Sequence, residues 1–361
     1  MTHESLLNDD WGWMVERLGG AETLTESARA TKAFVRARGV RSAVDLLRLT
    51  LAYCLSHTGL RGTAGWAAAV GLAKLSDVAL LLRLRNTSDW LLHLIARLLG
   101  SGRPAAAEGR LIRILDATTV LKAGQQAKRS NGLWRVHSAF ELPAERFGFL
   151  ALTDERGGER LDRVPVVPGE IRIADGAYLQ PDQMAEVISQ GADVLLRAGW
   201  HNARWLDQEG VPLDLVAVLS TKGQNGLLDR PVWIGRKGGT PLALRLVALR
   251  KSPAAAIEAR RRARLQARKE GRQVSAGTLA AAEWIILVTS LSAETFVAAD
   301  ILKLYRMRWR IELAFKRLKS LVGLRSPPAQ DPRLARPWVL SHLIMILLTE
   351  PLIDELGVSP S

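Results

Sequence analysis

From residue 1 to about 105, apolar residues recur three and four apart, as in "SAVDLLRLTLAYCL" and "SDVALLLRLRNTSDWLLHLIARLL". That period puts one stripe of each helix against a core and predicts an α-helical N-terminal unit. "GSGRPAAAEG", residues 100–109, breaks the period with small residues and a proline and predicts a linker. The pattern then turns to β. "RLIRILDATTV" (110–120), "WRVHSAFEL" (134–142) and "RFGFLALTD" (146–154) are short and rich in apolar and β-branched residues, with turn-forming stretches between them. "GEIRIADGAY" (169–178), a helix near "PDQMAEVISQ" and the strand "ADVLLRAGW" (192–200) follow, which together predict an α/β core on a mixed sheet.

Residues 201–283 interrupt this alternation. "PVWIGRKGGTPLALRLVALRK" predicts a hairpin, and "AAIEARRRARLQARKEGRQ" a basic run that is either helical or flexible. "EWIILVTSL" (283–291) returns to the apolar pattern, so 201–283 is expected to be an insertion placed before the last helix of the core. The expected organisation is a helical unit (1–105), the two parts of the core (106–200 and 284–330) flanking the insertion, and a C-terminal helical segment (331–361). Within that last segment "WVLSHLIMILL" is too short to span a bilayer and contains His342, so it is expected to be a core helix.

Composition narrows the partners more than the fold. The 361 residues are 48% hydrophobic and 24% charged, which suits a globular protein, and the net charge of +14 calls for a polyanion. Nucleic acid fits best; a membrane surface or a ribosome would satisfy the same charge. One cysteine, Cys54, lies in an apolar run, and the acidic N-terminus "MTHESLLNDDWGW" has no basic or apolar leader region. Both features predict a cytoplasmic protein without membrane segments. Six scattered histidines show no zinc-ligand spacing.

Candidate chemistry lies in the carboxylates. Asp116 is expected to end the strand "RLIRILD", and Asp175 to end the strand "IRIAD", just before Gly176. Both are expected at C-terminal strand ends, where α/β proteins bind ligands. Each is also an ordinary strand-end cap or turn former, as are Asp154, Asp162, Asp182 and Asp193, and spacing alone does not choose among them. The segment "YRMRWRIELAFKRLK" (305–319) is more particular. On one helix at about 100° per residue, Tyr305, Arg308, Glu312 and Lys319 fall at about 0°, 300°, 340° and 320°, a single stripe. Leu304, Met307, Ile311, Phe315 and Leu318 form the adjacent apolar stripe. Glu312 with Arg308 at i, i+4 is also a common surface pair.

The spacing Tyr-x2-Arg-x3-Glu-x6-Lys resembles the YREK signature of bacterial insertion-sequence transposases of the DDE class, and "LDATTV" and "ADGAY" resemble the motifs around that family's two aspartates. The resemblance runs from about residue 60 to the C-terminus, with the N-terminal unit matched only in general character; it implies that 1–105 is a DNA-binding domain, that 201–283 is a mainly β domain and that the protein is nucleoid-associated. It implies an RNase H-like catalytic core in which Asp116, Asp175 and Glu312 hold two Mg²⁺ ions, with Mn²⁺ able to substitute. It implies cut-and-paste transposition by phosphodiester hydrolysis and strand transfer on double-stranded DNA, at terminal inverted repeats and target, by a homodimer. Tyr305, Arg308 and Lys319 would hold phosphates. Several relatives release their element through a DNA hairpin, and Trp284 occupies the position of the indole on which a flipped base stacks; a Trp opening an apolar strand is also ordinary packing. Arg260, Arg261, Arg262 and Arg264, with Arg268, Lys269 and Arg272, are either a solvated helix face or phosphate contacts. Lys122, Lys128 and Arg129 are weaker candidates. "LRGTAGWAAAVGLAKLSDVALLLRLR" is either a helix-turn-helix variant or a plain bundle. A catalytically silent DNA-binding regulator and a host nuclease or resolvase of the same fold are the rival readings.

Overall fold

The computed structural model describes residues 3–56, 58–101, 109–123, 133–222, 226–320 and 322–355. Helices α1 (His3–Arg17), α2 (Gly20–Ala30), α3 (Ala43–Leu55), α4 (Leu60–Ala69), α5 (Asp77–Leu84) and α6 (Ser88–Ser101) come first. Strands β1 (Ile112–Leu121), β2 (Leu133–Leu142), β3 (Arg146–Asp154) and β4 (Ile171–Ala174), helix α7 (Pro181–Ser189) and strand β5 (Asp193–Arg197) follow. Then come β6 (Trp205–Leu206), α8 (Leu215–Lys222), β7 (Leu227–Ile234), β8 (Leu242–Arg250), α9 (Pro253–Lys269), α10 (Ala276–Ala281) and β9 (Trp284–Thr289). The chain closes with α11 (Ala298–Arg306), α12 (Trp309–Ser320) and α13 (Pro332–Glu355). Most of the expected linker, with Lys128 and Arg129, lies outside the described residues.

All the strands form one sheet, in the order β3-β2-β1-β4-β5-β9-β8-β7-β6. In the first five, β2 runs antiparallel to its neighbours while β4 and β5 run parallel to β1, the mixed RNase H-like core. The strands of residues 201–283 extend this sheet: the β7–β8 hairpin pairs through β8 onto β9, which pairs onto β5. The basic run is helical. Ser252 caps α9 by accepting the Ala255 amide, and Pro253 stands at its first turn, where a missing N–H costs nothing.

Strand alternation divides the core in two. Ile114, Ile173, Leu195 and Leu287 face one side, and Leu115, Ala174, Leu196 and Val288 the other. Helices from both chain ends cover the first side: α13 packs on α3, α5 and α6, α6 and α13 reach β3, and α11 and α12 lie on β5 and β1. Leu340, Leu343 and Ile344 of α13 are at most 1% exposed, each contributing ~1.5–3 kcal/mol by burial. "WVLSHLIMILL" is therefore a core helix, and no helix among the described residues is long and apolar enough to cross a membrane. α4 and α5 pack as a pair, but α5 turns Val78 and Leu82 outward, apolar side chains that carry no hydrogen-bonding readout of base edges.

A buried ionic cluster fixes the loop between β3 and β4. Arg113 reaches Glu141 at 2.8 Å and Glu170 at 3.0 Å, and Arg172 reaches Glu170 at 2.5 Å. Arg172 also donates to the carbonyls of Leu161 and Val164, and Arg113 to that of Pro165. Both arginines thus tie the end of this loop to β1 and β4, just beyond Glu159.

Candidate active site

Asp116 does not end its strand: β1 runs on to Leu121. What ends is its pairing with β4, whose last partners are Ile114 and Ile173, so from Asp116 onward β1 is hydrogen-bonded only to β2. The divergence opens a notch beside Asp116. Asp175, immediately after β4, borders it. Its carboxylate accepts the Ala177 amide at 2.9 Å, capping the 3-10 turn Gly176–Tyr178, so Asp175 is a turn former as well as a site neighbour. A Cβ on Gly176 would stand 3.4 Å from the Arg197 carbonyl, a close but tolerable contact, so this position sits against the end of β5.

The YREK residues are not on one continuous helix. Tyr305 lies in the last turn of α11, Arg308 lies in the break, and Glu312 and Lys319 belong to α12. The amides of Met307, Arg308, Arg310 and Ile311 bond three residues back, to Leu304, Tyr305, Met307 and Arg308, a 3-10-like tightening without proline or glycine. Each helix packs on different strands, α11 on β5 and β8 and α12 on β1, so the bend follows the twist of the sheet. Glu312 and Lys319 still share a face, both exposed.

Arg308 joins the two ends of the site. Its guanidinium reaches Asp116 Oδ2 at 3.2 Å and Glu312 Oε1 at 2.5 Å. Asp116 Oδ1 accepts the Ala117 amide at 2.8 Å. Burial nevertheless pushes the Asp116 carboxyl up to about 6; the Ala117 amide and Arg308 oppose this, while Asp175 and Glu159 add to it. Burial, then the charge of Asp175, also raises Glu159. Tyr178 is raised by burial and by Glu159, Asp116 and Asp175. The Tyr305 hydroxyl, raised to about 12 chiefly by burial, is closed off from solvent and has no hydrogen-bond partner among the described residues. No three acidic, histidine or cysteine side chains among the described residues are gathered closely enough to share an ion. The chemistry of the donors still suits one: carboxylate oxygens close enough that Asp175 and Glu159 add to the raised pKa of Asp116, beside the Tyr305 hydroxyl, match a hard divalent cation and its water.

The other expected residues divide. Trp284 opens β9, is 7% exposed, and packs with Ile286 and Val288 on the side of the sheet opposite Asp116. By β-alternation Trp284 shares the face of Val288, and it lies three residues before Leu287, the partner of Arg197 at the end of β5. Arg260 pairs with Glu283 at 2.8 Å, and Arg261 and Arg262 both pair with Glu258, whereas Arg264 is exposed. Lys122 pairs with Glu155 at 2.5 Å. Three neighbours escaped the sequence reading: Glu159, in an irregular loop without a pattern; Arg197, whose charge reaches Tyr305; and Trp309, 53% exposed beside Arg308. For Trp309 a signal existed, since it falls off the apolar stripe of its own helix.

Fold and site together define an RNase H-like α/β protein whose acidic notch is overlaid by a basic, broken helix. The family described as "Transposase DDE domain" matches residues 107–348, and the chain belongs to it. The chain is 37% identical over 356 residues to InsL of Escherichia coli (strain K12), named as transposase of insertion sequence element IS186A, covering 96% of this chain and 95% of that one. It is 36% identical over 357 residues to the transposase for insertion sequence element IS421 of Escherichia coli, with the same coverage of 96% and 95%.

Proposed function

We propose that the chain is the transposase of an insertion sequence, cutting DNA at the element's terminal repeats and joining the freed ends to target DNA. The observation that carries this reading is the ion pairing of Arg308 with both Asp116 and Glu312, which draws together two acids from opposite ends of the family match. Asp116, Asp175 and Glu312 would hold two Mg²⁺ ions, or Mn²⁺. Bound there, the ions would lower the pKa of attacking water or 3′-hydroxyl and stabilise the leaving oxygen. The chain's own residues do the rest. Arg308 and Lys319 hold phosphates by charge, and Tyr305 offers its hydroxyl to a phosphate oxygen or water. Lys316, Lys319 and Trp309 are exposed along α12 and offer the strand a basic and aromatic track. A hairpin route needs an aromatic ring for a flipped base; exposure beside Arg308 favours Trp309 for it, and the position in the family favours Trp284. Arg264, Arg268 and Lys269 are exposed on α9, which departs from the end of β8, and would add phosphate contacts.

Each chain contains one such notch, and an element has two ends, so two copies working together are the simplest assembly that cuts both. The test is Glu312→Gln, assayed on duplex carrying the element's own ends. DNA binding should persist and cleavage with Mg²⁺ should be lost; normal cutting by this variant would remove Glu312 from the site.

A further inference from the structure

We propose that Arg308 gates the acidic notch. In the DNA-free chain its guanidinium stands between Asp116 and Glu312, where a divalent cation would be held, and a DNA phosphate draws it off, so that metal loading follows DNA binding. The proposal deepens the metal-dependent reading above and rests on it.

Three observations converge. First, Arg308 uses separate nitrogens for the two carboxylates, Nη1 to Asp116 and Nη2 to Glu312, as a planar fork can and a point charge cannot. It thereby spans the gap between β1 and α12 that metal ligands from those elements would have to share. Second, with the fork in place the acids are not grouped as an ion site among the described residues, and the Tyr305 hydroxyl is left buried without a partner. An arrangement that leaves a polar atom unsatisfied beside two aspartates is a resting one; departure of the guanidinium would admit water or phosphate to that hydroxyl. Third, Arg308 is rooted in the break between α11 and α12, and its side chain retains 21% exposure. A phosphate arriving along α12, past Lys316 and Lys319, finds this guanidinium partly exposed beside Asp116, whose side chain is 17% exposed. Arg–phosphate pairing is bidentate and charge-assisted, so it can replace the two carboxylate contacts with contacts of the same kind. The exchange frees the carboxylates when substrate is present and keeps the notch closed to free cations when it is not.

The experiment titrates Mn²⁺ into the full chain, with free Mn²⁺ read by electron paramagnetic resonance, with and without duplex carrying the element's own end and with a DNA-only blank subtracted. Wild type should bind Mn²⁺ about tenfold tighter with DNA, equivalent to about 1.4 kcal/mol. Arg308→Gln should show about that gain without DNA, and DNA should add little more. Arg306→Gln, an equal charge change at an exposed neighbour, should shift affinity less than about twofold, because exposed charges are screened. Unchanged or weaker DNA-free binding by Arg308→Gln would overturn the gate, as would a wild-type affinity indifferent to DNA or an Arg306→Gln effect as large as that of Arg308→Gln. Asp116→Asn separates the two levels of failure. If it abolishes Mn²⁺ binding while Arg308→Gln changes nothing, the gate alone falls; if Mn²⁺ binding ignores Asp116→Asn, the metal reading falls with it.

Discussion

Asp116→Asn should stop cleavage and yet stabilise the metal-free chain. Burial holds the Asp116 carboxyl at about 6 against an ordinary 3.8, so the folded state disfavours its charge. The difference corresponds to ~3 kcal/mol at neutral pH. The contacts that favour the carboxylate, from the Ala117 amide and Arg308, are already included in that balance. The sign follows from proton uptake. A carboxyl raised on folding binds more protons in the native than in the unfolded state, so its penalty is absent below about pH 4, grows between about 4 and 6, and is complete above. Asparagine keeps the shape and the amide contact without the charge. At pH 7.5 in EDTA, the variant should therefore melt a few degrees higher, about 4 °C for ~3 kcal/mol in a chain of this size, and at pH 4 the two proteins should coincide. His137, which burial lowers to about 4, works in the opposite sense but is common to both proteins and cancels. Thermal melts of both proteins across this pH range measure the difference directly. A variant no more stable than wild type at pH 7.5, or equally stabilised at both pH values, would refute the reasoning.

Arg172→Ala leaves Glu170, which is fully buried, with only Arg113, and should cost about 3–5 kcal/mol in chemical denaturation, since a partner is removed from a buried pair. Trp284→Ala should cost about 3–5 kcal/mol through its cavity, whereas Trp309→Ala should leave stability within about 0.5 kcal/mol. End cleavage at matched folded concentration should fall for Trp309→Ala and hold for Trp284→Ala; the reverse would return the stacking role to Trp284. Arg264→Ala should lower the salt slope of DNA binding by about 1, and Arg262→Ala by less, because Arg262 is paired with Glu258.

The strands and helices were legible in the sequence because each carries its own period. Their partners were not. Nothing local to "PVWIGRKGGTPLALRLVALRK" says that β8 pairs with a strand more than thirty residues later, so an insertion read as a separate unit proves to continue the sheet. The same limit left the face of Trp284 open. Its alternation with Ile286 and Val288 was visible, but only the pairing of Val288 with Leu196 decides which side of the sheet that parity faces. The helix break at Arg308 has no proline or glycine to announce it, because the cause is the different strands on which its two halves pack.

The acidic residues show how a local motif and a tertiary event combine. "RILDATT" reads as a strand followed by a turn, but the strand continues, and Asp116 gains its place because β4 stops beside Ile114 while β1 does not. The notch is made by unequal strand lengths, a quantity that no motif records. Arg308 and Glu312 at i, i+4 were readable as a surface pair, and that pair forms; its second contact, to Asp116, turns an ordinary helix pair into a clamp across the notch. A chain of charge +14 thus keeps its few functional carboxylates close to cations that DNA phosphates can claim, and the excess of positive charge that attracts the substrate also restrains the acids that would act on it.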